Sequence, residues 1–159
     1  MTPARAGPAR VLALGERFRR DDGAGPAVLD RLAGRRDIET RAVTGAAPEI
    51  LAAMAGADRV IVVDAVRLGV APGTVRVLDV DGARRARPAL SGHGSALADA
   101  LALGAALGRL PASLVVVGIE AADLGYGEAL SPAVAAALDD AAAVVARLAN
   151  GTSGEEGTR

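Results

Sequence analysis

The chain has 159 residues, of which 51% are hydrophobic and only 1% aromatic, so its core is expected to consist mainly of Ala, Val, Leu and Ile. Its formal net charge of −1 gives no general attraction for nucleic acid or for an anionic membrane, and neither is expected as a partner. It contains no cysteine, which excludes disulfides, thiolate catalysis and cysteine-ligated zinc.

The N-terminal segment, residues 1–9, is rich in Pro and Ala and is predicted to be loose. It carries arginines but no apolar stretch of the kind that a secretory signal peptide needs. No uncharged apolar run in the sequence reaches the ~18 residues that a membrane-spanning helix requires. We therefore expect a cytoplasmic protein.

Five short apolar or alternating runs predict strands, in chain order Arg10–Leu14, Ile38–Val43, Arg59–Asp64, Thr74–Val80 and Leu114–Ile119. Four stretches with helix-start or helix-stop residues predict helices, in chain order Gly25–Gly34, Pro48–Ala55, Ser95–Leu107 and Ser131–Leu148. The last of these begins with Ser-Pro, and Ser131 is expected to cap it. Residues 81–92, with Arg84, Arg85 and Arg87, are predicted to form a solvated basic loop.

Strands that are apolar on both faces and alternate with helices are typical of a parallel sheet that is covered on both sides. Residues 10–149 are therefore predicted to form a single three-layer α/β/α domain with a mostly parallel sheet of about five strands. The polar, Gly-rich segment 150–159 is predicted to be a disordered tail.

Two adjacent carboxylates, Asp21 and Asp22, follow the first predicted strand in the stretch RFRRDDGAGPA, residues 17–27. One interpretation is a helix cap, because Asp favours helix N-termini and offsets the helix dipole. The other is a ligand at the carboxyl edge of the sheet, and the local sequence does not say which residue would take which role. The arginines before the pair are either a solvated loop or a site for a carboxylate of a partner.

Two further residues point to the same edge of the predicted sheet. Asp64 ends its strand, where α/β proteins bind ligands, although an Asp at this place can also cap the following turn. His93, the only histidine, lies in SGHGS ahead of a predicted helix whose dipole favours the neutral, metal-binding imidazole. The alternative for His93 is an exposed loop residue without a role. Two carboxylates and one imidazole at one edge would suit a divalent metal with open coordination positions.

Other candidates are weaker. Glu120 and Asp123 follow the last predicted strand and are expected to shape the cleft or to contact a partner. Tyr126, the sole tyrosine, lies in a Gly-rich loop and is expected at the surface or at a partner contact. No nucleotide-binding glycine motif and no GxSxG nucleophile elbow is present.

Four blocks, which together span about residues 10–148, carry a resemblance to a known family: VLALGERFRRDDGAGPAVLDRL, VIVVDAVRLGVAPGTVRVLD, SGHGSALADALALGAALGRLPASLVVVGIE and LSPAVAAALDDAAAVV. Their content and order resemble the hydrogenase maturation proteases, the endopeptidases that trim the C-terminus of the large subunit of nickel–iron hydrogenases. The resemblance implies the α/β fold predicted above and an endopeptidase activity. It also implies a partner, the nickel–iron hydrogenase large-subunit precursor.

The resemblance also implies roles for individual residues. It makes Asp22, Asp64 and His93 the metal site and the catalytic residues, and so selects Asp22 over Asp21, which is left as a cap or as a supporting group. It implies that the site senses nickel already inserted into the precursor. Cleavage of a short C-terminal extension would then let the large subunit close over its metal centre.

The sequence departs from the family pattern in three places. Glu16 stands where the family usually has Asn, and Arg20 where a small residue is common. The segment AVTGAAPEIL, residues 42–51, has no Asp and only one glycine, Gly45. Because that segment contributes to the substrate cleft in the family, the alternative function is a non-catalytic binding module of the same fold that recognises the immature hydrogenase subunit or its nickel. An α/β enzyme that acts on an unrelated small ligand is the third interpretation.

Overall fold

A computed structural model describes residues 7–85 and 94–151. The strands are β1 (Ala9–Leu14), β2 (Ile38–Val43), β3 (Arg59–Val66), β4 (Val75–Asp79) and β5 (Ser113–Glu120). The helices are α1 (Ala24–Arg31), α2 (Ala47–Met54), α3 (Val80–Arg85), α4 (Gly94–Leu107) and α5 (Pro132–Ala149). A short 3₁₀ turn, Arg20–Gly23, precedes α1.

The strands form one sheet in the order β2-β1-β3-β5-β4. β1 is parallel to β2 and β3, and β3 is parallel to β5, whereas β4 lies antiparallel to β5 at one edge. The predicted α/β fold with a mostly parallel sheet is therefore confirmed. The antiparallel edge strand agrees with the alternating pattern of its sequence, since an edge strand keeps one face partly exposed.

Both faces of the sheet are covered by helices, as the continuous apolar strands predict. On one face, Ile61 and Val63 of β3 pack in a cluster with α1 and α5. On the other face, Val60, Val62 and Val66 pack in a second cluster with α2 and α4. This division follows from the alternation of side chains along a strand. Each fully buried Val contributes about 1.5–3 kcal/mol relative to an exposed one.

The loop predicted for residues 81–92 is wrong in its first part, because Val80–Arg85 forms α3. The Asp79 carboxylate accepts a hydrogen bond from the Gly82 N–H at 2.6 Å, which is the geometry of a helix N-cap. Ala83 is fully buried against the second cluster and anchors the helix. Residues 86–92 of the predicted loop lie outside the described part of the chain.

Two details at other element ends also differ from prediction. β3 continues two residues beyond Asp64, to Val66. Ser131 occupies the N-cap position of α5, but its side chain makes no capping hydrogen bond. The loose segment predicted for residues 1–9 and the tail predicted for 150–159 fall largely outside the described residues. None of the helices within residues 7–85 and 94–151 is long and apolar enough to cross a membrane.

Candidate functional site

The strand order creates a switch point between β1 and β3. The chain leaves β1 to form β2 on one side and returns later to form β3 on the other side. In parallel α/β sheets, the crevice at the carboxyl ends of two such strands is the usual ligand site. Asp22 lies in the 3₁₀ turn that follows β1, and Asp64 lies near the end of β3, so each belongs to one of the two strands at this switch point.

Asp64 is completely buried. Ile61 and Val63 face the helices α1 and α5, and successive side chains of a strand point to opposite faces. The Asp64 side chain therefore lies on the other face of the sheet, which α2 and α4 cover. On the neighbouring strand β5 its partner in register is Gly118, which has no side chain on either face. The strand therefore presents an acidic group at the crevice on the same face as α4.

Asp22 is also completely buried and is held by the loop before it. Its Oδ2 accepts a hydrogen bond from the Glu16 N–H at 2.8 Å. Gly15, with φ +114°, allows this close approach, because a Cβ there would overlap the carbonyl oxygen of Asp22 and lie 3.3 Å from its Cγ. The glycine that ends β1 is thus the residue that lets the acidic turn pack on the sheet.

Asp21, the neighbour of Asp22, serves a different part of the molecule. Its carboxylate accepts hydrogen bonds from the N–H groups of Ala122 and Asp123, both at 2.9 Å, and from the N–H of Ser131 at 2.7 Å. The Ser131 hydroxyl also lies 2.8 Å from Oδ2 and 3.0 Å from Oδ1. Burial acts to raise the pKa of the Asp21 carboxyl, but hydrogen bonds from Ser131, Asp123 and Ala122 together hold that pKa below its usual value.

The interpretation of Asp21 as a cap of its own helix is therefore wrong, because neither the 3₁₀ turn nor α1 has a side-chain cap. Asp21 instead ties the turn to the connection between β5 and α5. A supporting role is the other alternative that the sequence leaves open for Asp21, but the sequence could not identify Ser131 as its partner, because the two residues are 110 positions apart. The only signal in the sequence for this role of Asp21 is that a second carboxylate stands beside Asp22.

The arginines before the acidic pair bind groups of this chain. Arg17 forms an ion pair with Asp30, with N–O distances of 2.8 and 2.9 Å. Arg20 donates to the carbonyl of Tyr126 at 3.1 Å and lies 3.4 Å from an Asp123 carboxylate oxygen. Two of the three arginines therefore have a carboxylate of this chain beside them. For Arg20 the ion pair also fixes the β5–α5 connection.

Glu120 holds the segment that follows β3, and its expected role in shaping the cleft stays a prediction. Its carboxylate is buried and accepts the N–H groups of Leu68 at 2.8 Å and Gly69 at 3.1 Å. The end of β3 is thereby fixed to the end of β5. Asp123 accepts the N–H of Gly125 at 2.8 Å, which stabilises its own turn.

The start of α1 packs closely against the ends of two strands at Gly25. A Cβ at Gly25 would lie 2.6 Å from the carbonyl oxygen of Leu14 and 2.8 Å from that of Val63. The helix therefore begins directly against the ends of β1 and β3, and the 3₁₀ turn that carries Asp22 packs on β3. The absence of a side chain at Gly25 permits this approach.

The third predicted site residue, His93, lies outside the described residues. The next residue, Gly94, begins α4, and α4 packs through Leu97 and Leu101 on the sheet face that carries Asp64. Within residues 7–85 and 94–151, no three acidic or histidine side chains form a group that could hold a metal ion. Asp22 and Asp64 alone thus lack a third ligand from the described part of the chain.

Comparison with known proteins gives one family. A family model described as hydrogenase maturation protease matches residues 44–148, a range that contains Asp64 and His93 and begins after Asp22. A curated protein of Azotobacter chroococcum mcd 1, the hydrogenase expression/formation protein HupM, is 40% identical over 95 residues. That alignment covers 55% of this chain and 44% of the relative, so the chain spans less than half of that protein's length.

Solved structures show the same fold over nearly the whole chain. The hydrogenase maturating endopeptidase HybD from E. coli superposes with a TM-score of 0.80 at 27% identity, covering 91% of this chain and 94% of that one. The [NiFe] hydrogenase maturation protease HybD from Thermococcus kodakarensis gives a TM-score of 0.72 at 24% identity, with 89% and 99% covered. At that lower identity, the second likeness concerns the fold alone.

Proposed function

The chain belongs to the hydrogenase maturation protease family, and on that premise we propose that it is an endopeptidase that removes the C-terminal extension of a nickel–iron hydrogenase large-subunit precursor after nickel insertion. The observation that supports the proposal is that two fully buried carboxylates belong to the strands at the switch point, Asp22 in the turn after β1 and Asp64 near the end of β3. A cytoplasmic location remains a prediction.

The proposed site consists of Asp22, Asp64 and His93. Two carboxylates and one imidazole offer oxygen and nitrogen ligands, a set that suits a borderline divalent ion such as nickel. In this proposal the nickel belongs to the substrate, since it arrives inside the precursor.

The carboxylates have two tasks in this proposal. First, their oxygen atoms would serve as ligands for the nickel centre of the precursor. Second, they would support attack on the scissile amide: a metal held by Asp22, Asp64 and His93 would polarise the carbonyl or lower the pKa of a water, or one of the carboxylates would activate that water directly. In each case the hydrogen bond from the Glu16 N–H orients the Asp22 carboxylate in the crevice.

The test uses the purified chain with large-subunit precursors of the nickel–iron hydrogenases of the same organism, each prepared with and without nickel. We expect the wild-type protein to shorten the nickel-loaded form at its C-terminus, seen as a mass loss, and to leave the nickel-free form intact. Asp64→Asn and His93→Ala are expected to reduce the rate by about a hundredfold or more. Asp139→Asn, an exposed carboxylate on α5, is the matched control.

Normal processing by both Asp64→Asn and His93→Ala would contradict the assigned site. Binding of the nickel-loaded precursor by the wild type without any mass loss would instead favour the non-catalytic binding module. That alternative arises from the segment 42–51, which has no Asp and only one glycine.

A further inference from the structure

The chain has one Phe, one Tyr and no Trp, and both aromatic side chains are strongly exposed. Phe18 is 66% and Tyr126 is 87% accessible to solvent. Aromatic side chains have the largest apolar areas to bury and are enriched where proteins bind one another. Both aromatic residues of this chain are therefore available to bury apolar area against a partner.

The backbone next to both residues is fixed. The carbonyl of Phe18 accepts the Gly127 N–H at 2.8 Å, and the Arg20 N–H donates to the Gly127 carbonyl at 2.8 Å. The Arg20 guanidinium also donates to the carbonyl of Tyr126 at 3.1 Å. These bonds join the β1–α1 connection to the β5–α5 connection, so the two aromatic residues are carried on adjacent, preorganised segments. Preorganisation lowers the entropic cost of binding.

Phe18 stands between two clefts. One, of about 310 Å³, is lined by Ala27 and Leu130 beside Phe18, with Arg17 and Glu128 also in its wall. The other, of about 340 Å³, is lined by Pro26, Leu29 and Ala42 on the side of the edge strand β2, with Glu16 and Arg17 also in its wall. Each volume is at the small end of the range for ligand pockets, so each suits single side chains of a polypeptide better than a whole cofactor.

We propose that the surface formed by Phe18, Tyr126 and the two clefts docks an extended apolar segment of the hydrogenase large-subunit precursor, separate from the peptide bond that is cut. This inference rests on the proposed function. Phe18 is two residues after Glu16, whose N–H holds the Asp22 carboxylate. A segment held at Phe18 is therefore next to the crevice, and its binding energy aligns the precursor with the site.

The size of the surface argues against a second copy of this chain as the occupant. A buried aromatic side chain covers about 150–250 Å², so the two together supply at most about 500 Å². A stable interface buries about 800 Å² on each partner. The two aromatic residues alone therefore fall short of a permanent dimer interface, and the clefts beside Phe18 suit an inserted segment of a substrate.

The experiment measures kcat and KM for cleavage of the nickel-loaded precursor by Phe18→Ser, Tyr126→Ser and the double variant. We expect kcat/KM to fall about tenfold for each single variant and about a hundredfold for the double, through KM, with kcat within about twofold of wild type. Phe18→Leu is expected to retain most of the affinity. Matched controls are Val77→Ser on β4 and Leu107→Ser on α4, exposed apolar residues away from the site at 49% and 53% accessibility.

A wild-type KM in the double variant would contradict the docking surface and leave the proposed function standing. An equal loss of kcat/KM in the two control variants would do the same. A wild-type dimer in light scattering that the double variant dissociates would assign the surface to a second copy and would also overturn it. A wild-type protein that neither binds nor cleaves any precursor would refute the proposed function, and the docking inference with it. Equal thermal unfolding of all variants verifies that the substitutions leave the fold intact.

Discussion

The Asp21 carboxylate accepts from both hydrogen-bond donors of Ser131, with the Ser131 nitrogen 2.7 Å from Oδ1 and the hydroxyl oxygen 2.8 Å from Oδ2. Ser131 stands at the N-cap position of α5, yet its hydroxyl serves this long-range contact instead of the helix. With the N–H groups of Ala122 and Asp123, the Asp21 carboxylate fixes the whole connection between β5 and α5 to the acidic turn. Asp22, the adjacent residue, is thereby held at the β1/β3 crevice.

Asp21→Asn is expected to destabilise the protein in a pH-dependent way. The pKa of Asp21 is lowered in the folded state from its ordinary value of 3.8, so the ionised carboxylate stabilises the fold above about pH 4. That stabilisation is lost as the pH falls through the folded-state pKa. We expect Asp21→Asn to lower the free energy of unfolding by about 2–3 kcal/mol at pH 7, since an amide presents N–H to backbone donors. Urea unfolding from pH 7 to pH 3 should show the difference shrink.

Asp30→Asn is the control for that experiment. Asp30 also has a lowered pKa, from its hydrogen bonds with Arg17, but the ion pair is more than half exposed. Solvent screening weakens such an ion pair, so we expect Asp30→Asn to lower the free energy of unfolding by less than about 1 kcal/mol. A pH-independent loss for Asp21→Asn, or equal losses for the two variants, would contradict the role assigned to Asp21.

Gly15→Ala is expected to be more damaging than Gly34→Ala. Both glycines have positive φ, +114° and +84°, so both alanine variants bear a conformational cost of about 1 kcal/mol. At Gly34 no atom lies within 4 Å of the added Cβ, whereas at Gly15 the Cβ overlaps the carbonyl oxygen of Asp22. We expect about 1–3 kcal/mol of further destabilisation at Gly15, measured by chemical denaturation, and slower precursor cleavage as Asp22 is displaced. Equal decreases in the free energy of unfolding for the two variants would mean that the contact between position 15 and Asp22 does not affect stability.

The strands could be predicted from the sequence to within two residues because continuous apolar runs such as RVIVVD have few alternatives to a buried parallel strand. The helix α3 could not, since VDGARR contains a glycine and has one buried residue, Ala83. Its formation depends on the Asp79 cap and on contact with the sheet, which local sequence does not display.

The candidate site divides in the same way. The sequence predicts that Asp22 and Asp64 follow or end strands at the same edge of the sheet, because the carboxyl ends of parallel strands meet at one edge. The different roles of Asp21 and Asp22 could not be derived from the residues, since they depend on Ser131, which lies 110 positions away. The family resemblance alone selected Asp22. The role of His93 remains a prediction.

Glu120→Gln is expected to loosen the segment after β3. The Glu120 carboxylate accepts the N–H groups of Leu68 and Gly69, and a Gln amide would face one of these donors with another N–H. We expect a loss of about 1–2 kcal/mol and faster hydrogen exchange at Leu68 and Gly69. The Gly73 N–H, bonded to the backbone carbonyl of Glu120, should exchange at an unchanged rate. Unchanged exchange at Leu68 and Gly69 would show that the carboxylate does not hold this segment.

Asp22→Asn, compared directly with Asp21→Asn, separates the two carboxylates by function. An Asn at position 22 can still accept the Glu16 N–H through its Oδ1 but lacks the negative charge proposed to meet nickel. We expect Asp22→Asn to reduce kcat/KM on nickel-loaded precursor by about a hundredfold while unfolding changes by less than about 1 kcal/mol.

Asp21→Asn is expected to show the opposite pattern, with lower stability and near-normal cleavage at a temperature at which it is fully folded. Cleavage rates on nickel-loaded precursor and urea unfolding curves, both measured at pH 7, make the comparison. If Asp22→Asn cleaves normally while the folded Asp21→Asn variant is inactive, the assignment of the acidic pair is reversed. That reversal would move the catalytic carboxylate from the β1/β3 crevice to the β5–α5 connection, where Ser131 already binds it.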